Sequence, residues 1–488
     1  MTHPTTYAPG SPRQVLHLAW PIGVSMISFT LKGFIDMLLV GRLGIEALGA
    51  VGLASVMAWT LMSFPLGMLR GQRPLVSQYF GAGDRIAAYS YGIHAFYLAV
   101  AWGLLSLLLA GPVAVLVIDL TGSKLTADAR GFAVAYLETR LVWAGAWLMN
   151  VSVAEYLRAT SRPRYGMAAD LLAHPTNVAL SWILIFGLFG MPALGVQGAA
   201  LGTGLADLLA LCLMIWLARP RKATEGEPWA YRWRRMKKVL ATGITGGVQF
   251  VLESGAFALI TAMIGLLGTT ALAVHQAAIQ LVHLSIMPAI AIADGGATLI
   301  GQYIGEKKPD YAERSLHSAL RICAIFMACM GVVYFFFGEE LVSVFLKKDE
   351  VDYEAALALG GKVMLAAALW QLGDSYQVAF RFGLRAAGDH HWVMYTGILC
   401  SWVLSVPLAW AVVHIFDGNL AHVWFSWTAE IFLGGAIFWW RWKSGAWRNK
   451  RLVEDEPAEA PAEVLAEPIA PLAMVEPRPL ANEEERQP

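Results

Sequence analysis

Six acidic residues interrupt long apolar stretches of this sequence, and their side chains are the ones best suited to chemistry. A carboxylate at the centre of a membrane-spanning helix costs roughly 2.5–3.5 kcal/mol to insert, so such residues usually face a cavity or a partner and mark the path of an ion or substrate. A carboxylate there can hold a proton, a sodium ion or an organic cation, but only one at a time. The pattern therefore favours exchange transport. The six residues are Asp36, Asp207, Glu253, Asp294, Asp374 and Glu430.

The composition indicates the elements that must position these acids. Of the 488 residues, 57% are hydrophobic and only 15% are charged, and the mean hydropathy is +0.54. A soluble domain carries about 25% charged residues. About twelve apolar stretches of roughly 20 residues recur along the chain, each long enough to cross a bilayer as a helix. The sequence predicts an all-α polytopic protein in a lipid bilayer. The net charge of zero gives no indication of a nucleic-acid partner.

The distribution of basic residues predicts the orientation in the membrane. Basic residues concentrate in one alternate set of predicted loops and in the central linker, which places both termini in the cytoplasm. We expect a multi-pass protein of a bacterial inner (plasma) membrane. The basic loop residues on the predicted cytoplasmic side are Arg70, Arg73, Arg85, Arg158, Arg162, Arg164, Lys307, Lys308, Arg314, Arg381 and Arg385. Those on the opposite side are Arg42, Lys124, Arg130, Lys347 and Lys348.

The chain contains an internal repeat at a nearly constant offset. GRLGIEAL at 41–48 returns as GLLGTTAL at 265–272, and SQYFGAGD at 77–84 returns at the same offset as GQYIGEKK at 301–308. LRATSRPRYGM at 157–167 returns, at a slightly larger offset, as LRAAGDHHWVM at 384–394. Each half therefore holds six spans in one orientation. Parallel repeats of this kind predict two lobes around a central cavity, which is an architecture of secondary transporters.

The repeat and the composition together predict five regions. Residues 1–14 are expected to form a cytoplasmic N-terminal tail, 15–218 the six-helix N-lobe, 219–238 a basic cytoplasmic linker and 239–442 the six-helix C-lobe. From Val453 the sequence is rich in Pro, Ala and Glu, a composition that does not support a packed core. Residues 443–488 are therefore expected to form a disordered cytoplasmic tail.

The order of several motifs across both halves resembles the MATE family of multidrug and toxic-compound extrusion transporters, in its NorM-like branch. The resemblance implies an antiporter that exports amphipathic, cationic organic compounds by alternating access and is driven by H+ or Na+. It implies a monomer that needs no cofactor and is not an enzyme. The motifs are AWPIG at 19–23, IDMLLVGRLG at 35–44, SQYFGAGD at 77–84, PTNVALSWILIFG at 175–187, GVQGAALGT at 195–203, AVHQAAIQ at 273–280, GQYIGEKK at 301–308 and GLRAAGD at 383–389.

In the C-lobe, Glu253 and Asp374 match acidic positions that the NorM-like branch uses to bind its cation, so a proton or Na+ is expected there. Neither acid has a basic residue within a turn or two, although a distant partner such as Lys362 could pair with them. The family's tyrosine four residues before the second acid is replaced by Trp370. An indole offers no oxygen ligand, which weakens the case for sodium. Uncharged donors and acceptors near these acids are Gln249, Gln276, Gln280 and Gln377.

In the N-lobe, Asp36 matches an acidic position of the first helix that the family uses in proton coupling. Lys32 lies one turn earlier, so an intrahelical ion pair is the alternative explanation for Asp36. The resemblance assigns Pro21 as a hinge of this helix.

The resemblance also assigns three polar residues to the cavity: Asn177, Ser181 and Thr203. Helix–helix hydrogen bonding is the alternative for them. Structural roles are expected for a packed His275 and for Asp207, Asp294 and Glu430.

Two other functions remain as alternatives. A lipid-linked saccharide flippase of the same superfamily would need a strongly basic cavity, but few basic residues lie at membrane depth: Lys32, Arg140 and Lys362. An intramembrane enzyme is the second alternative, and the sequence contains no HExxH, GxSxG or CxxC motif. A Walker A motif is also absent, which argues against direct use of ATP.

Overall fold

The computed structural model describes residues 7–122, 125–218, 229–346 and 352–454. Within these residues the protein is helical and has no strand. Half of the predicted linker (219–228), the first six residues and the end of the predicted tail (455–488) lie outside the described residues. The same is true of three basic loop residues: Lys124, Lys347 and Lys348.

In the described part of the first half, seven α-helices make six spans, because α3 continues α2 after Gly71. The bounds are α1 (Pro12–Gly41), α2 (Ile45–Arg70), α3 (Gln72–Gly81), α4 (Arg85–Thr121), α5 (Ala127–Ala159), α6 (Pro163–Phe186) and α7 (Val196–Ala218).

The second half also makes six spans from its described residues, and its fifth span is α12 and α13 joined by a π-helical turn (Cys400–Ser405). The bounds are α8 (Trp233–Gly265), α9 (Thr269–Gly305), α10 (Pro309–Ser343), α11 (Tyr353–Ala386), α12 (His390–Leu399), α13 (Val406–His414) and α14 (Leu420–Lys443).

Ten of these twelve spans are long and apolar enough to cross a membrane by length and composition alone. The other two are α5 and α14. In α5, charged residues such as Glu138 and Arg140 interrupt the apolar surface in the middle of the helix. The protein is a multi-pass integral membrane protein, and the predicted all-α fold with two six-helix repeats is confirmed.

The helix bounds reproduce the repeat that the sequence predicts. The segment Ile45–Gly81 and the helix Thr269–Gly305 begin and end at the same offset as the repeated motifs. Each is preceded by a glycine in the left-handed region, Gly44 with φ of 114° and Gly268 with φ of 110°. A side chain would be strained at either position, which explains why the GxxG pattern occurs in both halves. We call α1–α7 the N-lobe and α8–α14 the C-lobe.

Helix starts follow ordinary capping chemistry. The side chain of Asp84 accepts a hydrogen bond from the backbone N–H of Ala87 at 2.8 Å and so begins α4. Thr126 caps α5 in the same way through Ala129. Ser11 caps α1, which has Pro12 at its first position. A capping side chain satisfies one of the free N–H groups at a helix start.

Two predicted region boundaries are wrong at their edges. The C-lobe begins with α8 at Trp233, before the predicted start at 239. The predicted disordered tail begins too early, because a 3₁₀ turn (Ala446–Asn449) follows α14. Within it, Trp447 is 1% exposed and stacks on Trp442 with ring centroids 4.1 Å apart. The tryptophan gives this segment an apolar anchor that a Pro- and Glu-rich composition lacks.

The two lobes meet through α1 with α9, α2 with α8 and α3 with α9. Glycines let the α2 and α8 backbones touch. A Cβ on Gly67 would lie 2.6 Å from the carbonyl oxygen of Gly246, and one on Gly71 would lie 2.6 Å from the Cα of Gly243. Small residues at helix crossings permit this close approach in membranes.

At one end of the lobe interface, two glutamines related by the repeat close the gap between the lobes. Nε2 of Gln78 in α3 donates to the carbonyl oxygen of Ala386 in the C-lobe at 2.9 Å. Nε2 of Gln302 in α9 donates to that of Ala159 in the N-lobe at 2.8 Å. All four residues belong to the repeated motifs. We call this pair of bonds the glutamine seal.

Two glycines make the glutamine seal possible. A Cβ on Gly81 would collide with the carbonyl oxygen of Gln302, and one on Gly305 would collide with that of Gln78. The backbones of α3 and α9 can therefore cross only because these residues lack side chains. The sequence pairs QYFG and QYIG are thus explained by one symmetric contact.

An ion-pair cluster lies beside the glutamine seal. Arg73 of the N-lobe pairs with Asp294 of the C-lobe, and its Nε donates to Glu155 at 2.6 Å. Nη1 of Arg158 lies 3.2 Å from Glu155 and 3.8 Å from Asp294. The structural role expected for Asp294 agrees with this geometry. Arg73, predicted to be a loop residue, lies instead within a helix and binds across the lobes.

Candidate functional site

Of the two predicted C-lobe acids, Glu253 lines a cavity of about 150 Å³ between α8, α11, α12 and α14, and Asp374 does not. Glu253 of α8, Gln377 and Arg381 of α11, and Glu430 of α14 line it. The π-helical turn adds polar atoms to its wall. Ionisable groups around an enclosed space within a membrane bundle are typical of an ion or substrate site.

Glu253 has a basic partner that the sequence interpretation missed. Its carboxylate forms an ion pair with Arg381 and accepts a hydrogen bond from Nε2 of Gln249 at 2.8 Å. Arg385 donates to Gln249. The assignment of Arg381 and Arg385 to a cytoplasmic loop is wrong, because α11 continues to Ala386. Its last two turns place both arginines against α8, at a four-residue spacing that matches that of Gln249 and Glu253.

Asp374 lies two turns before Arg381 on the same helix and is 5% exposed. Within the described part of the chain it makes no ion pair, and its Oδ2 has no hydrogen-bond partner. Its electrostatic neighbours are Arg381 and Glu430. A charged carboxylate that is buried without a partner is strongly disfavoured, so this position suits a group that takes up a proton or a cation.

Glu430 was expected to make structural contacts, but it lines the same cavity as Glu253. It is 5% exposed and interacts electrostatically with Arg381 and Glu253. The only signal for it in the sequence is a single acid within the apolar stretch of the last span. Three acids and one arginine therefore share this part of the C-lobe.

The other predicted C-lobe residues divide into two groups. Trp370 is buried one turn before Asp374, and its ring centroid lies 6.2 Å from that of Trp427, a residue of the cavity wall. Gln276 and Gln280 lie on an exposed face of α9, outside the cavity. His275, as expected, is packed: it is fully buried, and its Nδ1 accepts from Nε1 of Trp424 at 3.2 Å.

In the N-lobe, the structure brings Asp36, Asn177 and Thr203 together. The orientation of the Asn177 amide that satisfies both neighbours has Nδ2 donating to the two carboxylate oxygens of Asp36, at 3.0 and 3.2 Å. Its Oδ1 then accepts from Oγ1 of Thr203 at 3.0 Å. Ser181 is buried one turn further along α6, where its hydroxyl faces the carbonyl oxygen of Ala199 at 3.5 Å. Among the described residues it forms no hydrogen bond with Asp36.

The alternative explanation of Asp36 as the ion-pair partner of Lys32 is not supported. Among the described residues, no ion pair joins them. Lys32 is 7% exposed, and its Nζ lies 5.8 Å from the ring centroid of Phe29. A four-residue spacing allows an ion pair but does not require one, and here the Asp36 carboxylate turns towards α6.

Two charged N-lobe residues, Arg140 and Asp170, were not assigned a role from the sequence. Arg140 of α5 acts electrostatically on Asp36, as does Asp207 of α7. Asp170 of α6 interacts with Asp207 and Lys32. Asp170 lies close to the predicted loop at the start of its span, so the hydropathy pattern does not mark it as a membrane residue.

Pro21, the predicted hinge, lies inside α1. That helix is continuous from Pro12 to Gly41. The role of Pro21 as a hinge stays a prediction.

Comparison with known proteins gives the family. The MatE family model matches residues 21–183 and 247–411, one block in each lobe. The chain is 27% identical over 433 residues to a probable multidrug resistance protein NorM from Bradyrhizobium diazoefficiens, covering 86% of this chain and 90% of the relative. It is 25% identical to the multidrug resistance protein MdtK of Photorhabdus laumondii, covering 81% and 86%. These names agree with the prediction that the chain is not an enzyme.

Solved structures share the fold. A MOP superfamily transporter from Pyrococcus furiosus has a TM-score of 0.81 at 20% identity and covers 90% of this chain and 97% of that one. The outward-facing conformation of a multidrug resistance MATE family transporter has a TM-score of 0.80 at 20% identity, with 89% and 96% covered. The matched blocks span both six-helix repeats, and the chain belongs to the MatE family.

Proposed function

We propose that the protein exports amphipathic, cationic organic compounds across the membrane in exchange for inward movement of H+ or Na+. Relatives named multidrug resistance proteins support an efflux role. The single observation that carries the proposal is the C-lobe cavity, where Glu253 and Glu430 surround Arg381. Beside it, Asp374 has no hydrogen-bond partner for Oδ2 among the described residues.

Arg381 provides a physical link between the coupling ion and the cargo. Its guanidinium is permanently charged, pairs with Glu253 and acts on Asp374. When Asp374 carries a proton, Arg381 has one anionic neighbour fewer and pairs fully with Glu253. When Asp374 is charged, it draws on the same guanidinium, the pairing with Glu253 weakens, and that carboxylate becomes available to a cationic compound. Proton and cargo then exclude one another.

The same proposal needs the lobes to open at alternate ends. The glutamine seal and the Arg73–Asp294 pair close one end. A hydrogen bond contributes about 0.5–1.5 kcal/mol net, so the two bonds of the seal contribute a few kcal/mol at most. That is the size of free-energy difference that a bound ligand can reverse in a two-state protein.

We propose the orientation predicted from the charges, with both termini and the sealed end in the cytoplasm of a bacterial cell and with the protein acting as a monomer in the inner membrane. The loops and the adjoining helix start at the sealed end carry Arg162, Arg164, Lys307 and Lys308. Such a concentration of basic residues favours the cytoplasmic side.

Whether the coupling ion is H+ or Na+ can be tested directly. Trp370 stands one turn before Asp374 and offers no oxygen to a sodium ion, which favours the proton. Purified protein in proteoliposomes would be tested for uptake of a fluorescent organic cation under a proton gradient and, separately, under a sodium gradient.

The first prediction concerns Asp374. We expect Asp374→Asn to abolish gradient-driven transport in that assay, because an amide cannot take up and release a proton. Binding of the dye without a gradient is expected to weaken, because the neutral amide resembles protonated Asp374 and leaves Glu253 paired with Arg381. Asp119→Asn, which changes a half-exposed acid paired with Arg130, is the matched control and should transport normally. Wild-type transport by Asp374→Asn would contradict the proposal.

A further inference from the structure

A second cavity, of about 100 Å³, lies in the N-lobe between α1, α2 and α5. We call it the aromatic cavity, because aromatic side chains form much of its wall. The Trp59 ring centroid lies 6.4 Å from that of Trp147 and 6.2 Å from that of Phe250 in the C-lobe, so the cavity borders the interface between the lobes. The residues that carry the argument are Phe29, Trp59, Tyr136, Arg140, Trp143 and Trp147.

Arg140 is the charged residue of this wall. It lies near the middle of α5, which runs from Ala127 to Ala159. Within the described part of the chain its guanidinium makes no ion pair and no hydrogen bond. Two other arginines inside the helices do have acidic partners: Arg73 pairs with Asp294, and Arg381 pairs with Glu253. A charged group at membrane depth normally has a partner, or marks a ligand path.

Two acids lie near Arg140, and neither forms an ion pair with it among the described residues. The Asp36 carboxylate acts on Arg140 only at longer range and is held by the amide of Asn177. Glu138 is two residues before Arg140, so it lies on another face of α5. Its Oε1 lies 3.4 Å from the position that a Cβ on Gly111 of α4 would take. Asp36 offsets the charge of Arg140 in part, but within the described residues no acid forms an ion pair or a hydrogen bond with the guanidinium that faces the aromatic cavity.

We propose that the aromatic cavity binds flat aromatic carboxylates, with the carboxylate on Arg140 and the ring system against the tryptophans. A guanidinium holds a carboxylate through two parallel hydrogen bonds, and aromatic walls favour planar rings. Lys32, whose Nζ lies over Phe29, adds positive potential on the same side. An organic cation would be repelled here. The inference rests on the proposed transport function and adds an anionic class of cargo to the cationic one.

The test compares three probes that share an aromatic ring system and differ in charge: naphthoate, its methyl ester and the naphthyl trimethylammonium cation. Binding to purified protein in nanodiscs would be measured by quenching of tryptophan fluorescence. We expect wild type to bind naphthoate more tightly than either of the other probes. Arg140→Gln should weaken the binding of naphthoate by roughly tenfold or more, the scale of a charge-assisted hydrogen bond. The binding of the ester should stay unchanged. Arg140→Lys keeps the charge but not the paired donors, so its affinity for naphthoate should lie between those of wild type and Arg140→Gln.

Controls separate this inference from folding and from the proposed function. Arg130→Gln removes an exposed arginine of the same helix that pairs with Asp119 and should bind all three probes as wild type does. Trp147→Leu should weaken the binding of naphthoate and of the ester equally, because both lose an aromatic ring on which to stack. Equal binding of the three probes by wild type, or tight naphthoate binding by Arg140→Gln, would overturn the inference. Naphthoate binding without any gradient-driven dye transport would instead contradict the proposed function alone.

Discussion

The pairing of Glu253 with Arg381 makes a single side chain matter to both stability and transport. Glu253→Gln leaves Arg381 charged and unpaired, and because this pair is only partly buried, the loss is expected to be smaller than the about 3–5 kcal/mol of a fully buried ion pair. We expect a clear loss of thermal stability in detergent. The double variant Glu253→Gln with Arg381→Gln should recover stability, because no charge is left alone, but should not transport. Thermal unfolding and proteoliposome uptake would be measured on both.

The outcome separates structure from function. If the double variant is stable and transports the dye as wild type does, the ion pair is a structural element and takes no part in exchange. If Glu253→Gln alone keeps its stability, Arg381 has found another acid. Glu430, which faces the same cavity, would then be the residue to change next.

Individual residues differ in how far the sequence could predict their roles. Glu253 and Asp374 stand out because each interrupts an apolar stretch. Arg381 does not stand out, because it follows the predicted span and is therefore assigned to a basic loop. Its ion pair with Glu253 joins residues 128 apart in the chain, so only the three-dimensional structure reveals it. The same holds for Asp36 and Asn177, whose contact replaces the ion pair that a local spacing had suggested.

Among the helices, the sequence predicted most of the architecture. The offset that relates the motifs at 41–48 and 265–272 is repeated in the helix bounds, and the two glycines before α2 and α9 have the same conformation. Helix ends were less predictable. Hydropathy marks where a helix meets lipid, whereas α11 and α4 extend beyond the apolar stretch, since their polar end turns pack against protein. Residues in those turns, such as Arg381, are therefore mistaken for loops.

The glutamine seal, where α3 crosses α9, yields a further prediction. Gln78→Glu and Gln302→Glu keep the size of each side chain but remove the amide donor. We expect each variant to increase backbone hydrogen–deuterium exchange in residues 159–163 and 386–390, and the double variant to increase it further. Gln280→Glu, on an exposed face of α9, is the control and should leave those segments unchanged. Unaltered exchange in the double variant would show that the seal does not hold this end closed.

Across the protein as a whole, the segment after α14 joins the lobes at the same end. The backbone N–H of Leu452 donates to Oε1 of Gln78 in the N-lobe at 2.7 Å, and Arg451 donates to the carbonyl oxygen of Gly305 in the C-lobe at 3.3 Å. Leu452 and Val453 pack against the N-lobe cluster that contains Leu75. This short stretch therefore reinforces the glutamine seal. Composition could not indicate that role, because it depends on main-chain contacts.

Two truncations test the role of this stretch. Removing residues 455–488 should leave thermal stability and transport unchanged, because the contacts with both lobes remain. Removing 451–488 deletes those contacts. We expect it to lower stability by about 1–2 kcal/mol, the scale of one or two hydrogen bonds, and to raise exchange in 386–390. If the two truncated proteins have the same stability and the same hydrogen–deuterium exchange in 386–390, Arg451 and Leu452 take no part in closing this end.

Each bond of the glutamine seal is the counterpart of the other, and this symmetry indicates how the two halves of the chain arose. Each half supplies one donor and one acceptor, which is the arrangement of a face that binds a copy of itself about a twofold axis. If a six-helix chain paired with an identical copy of itself through that rotation, both bonds would form although the two copies have the same sequence. Fusion of two such genes into one reading frame would have preserved the closure and left each half free to diverge.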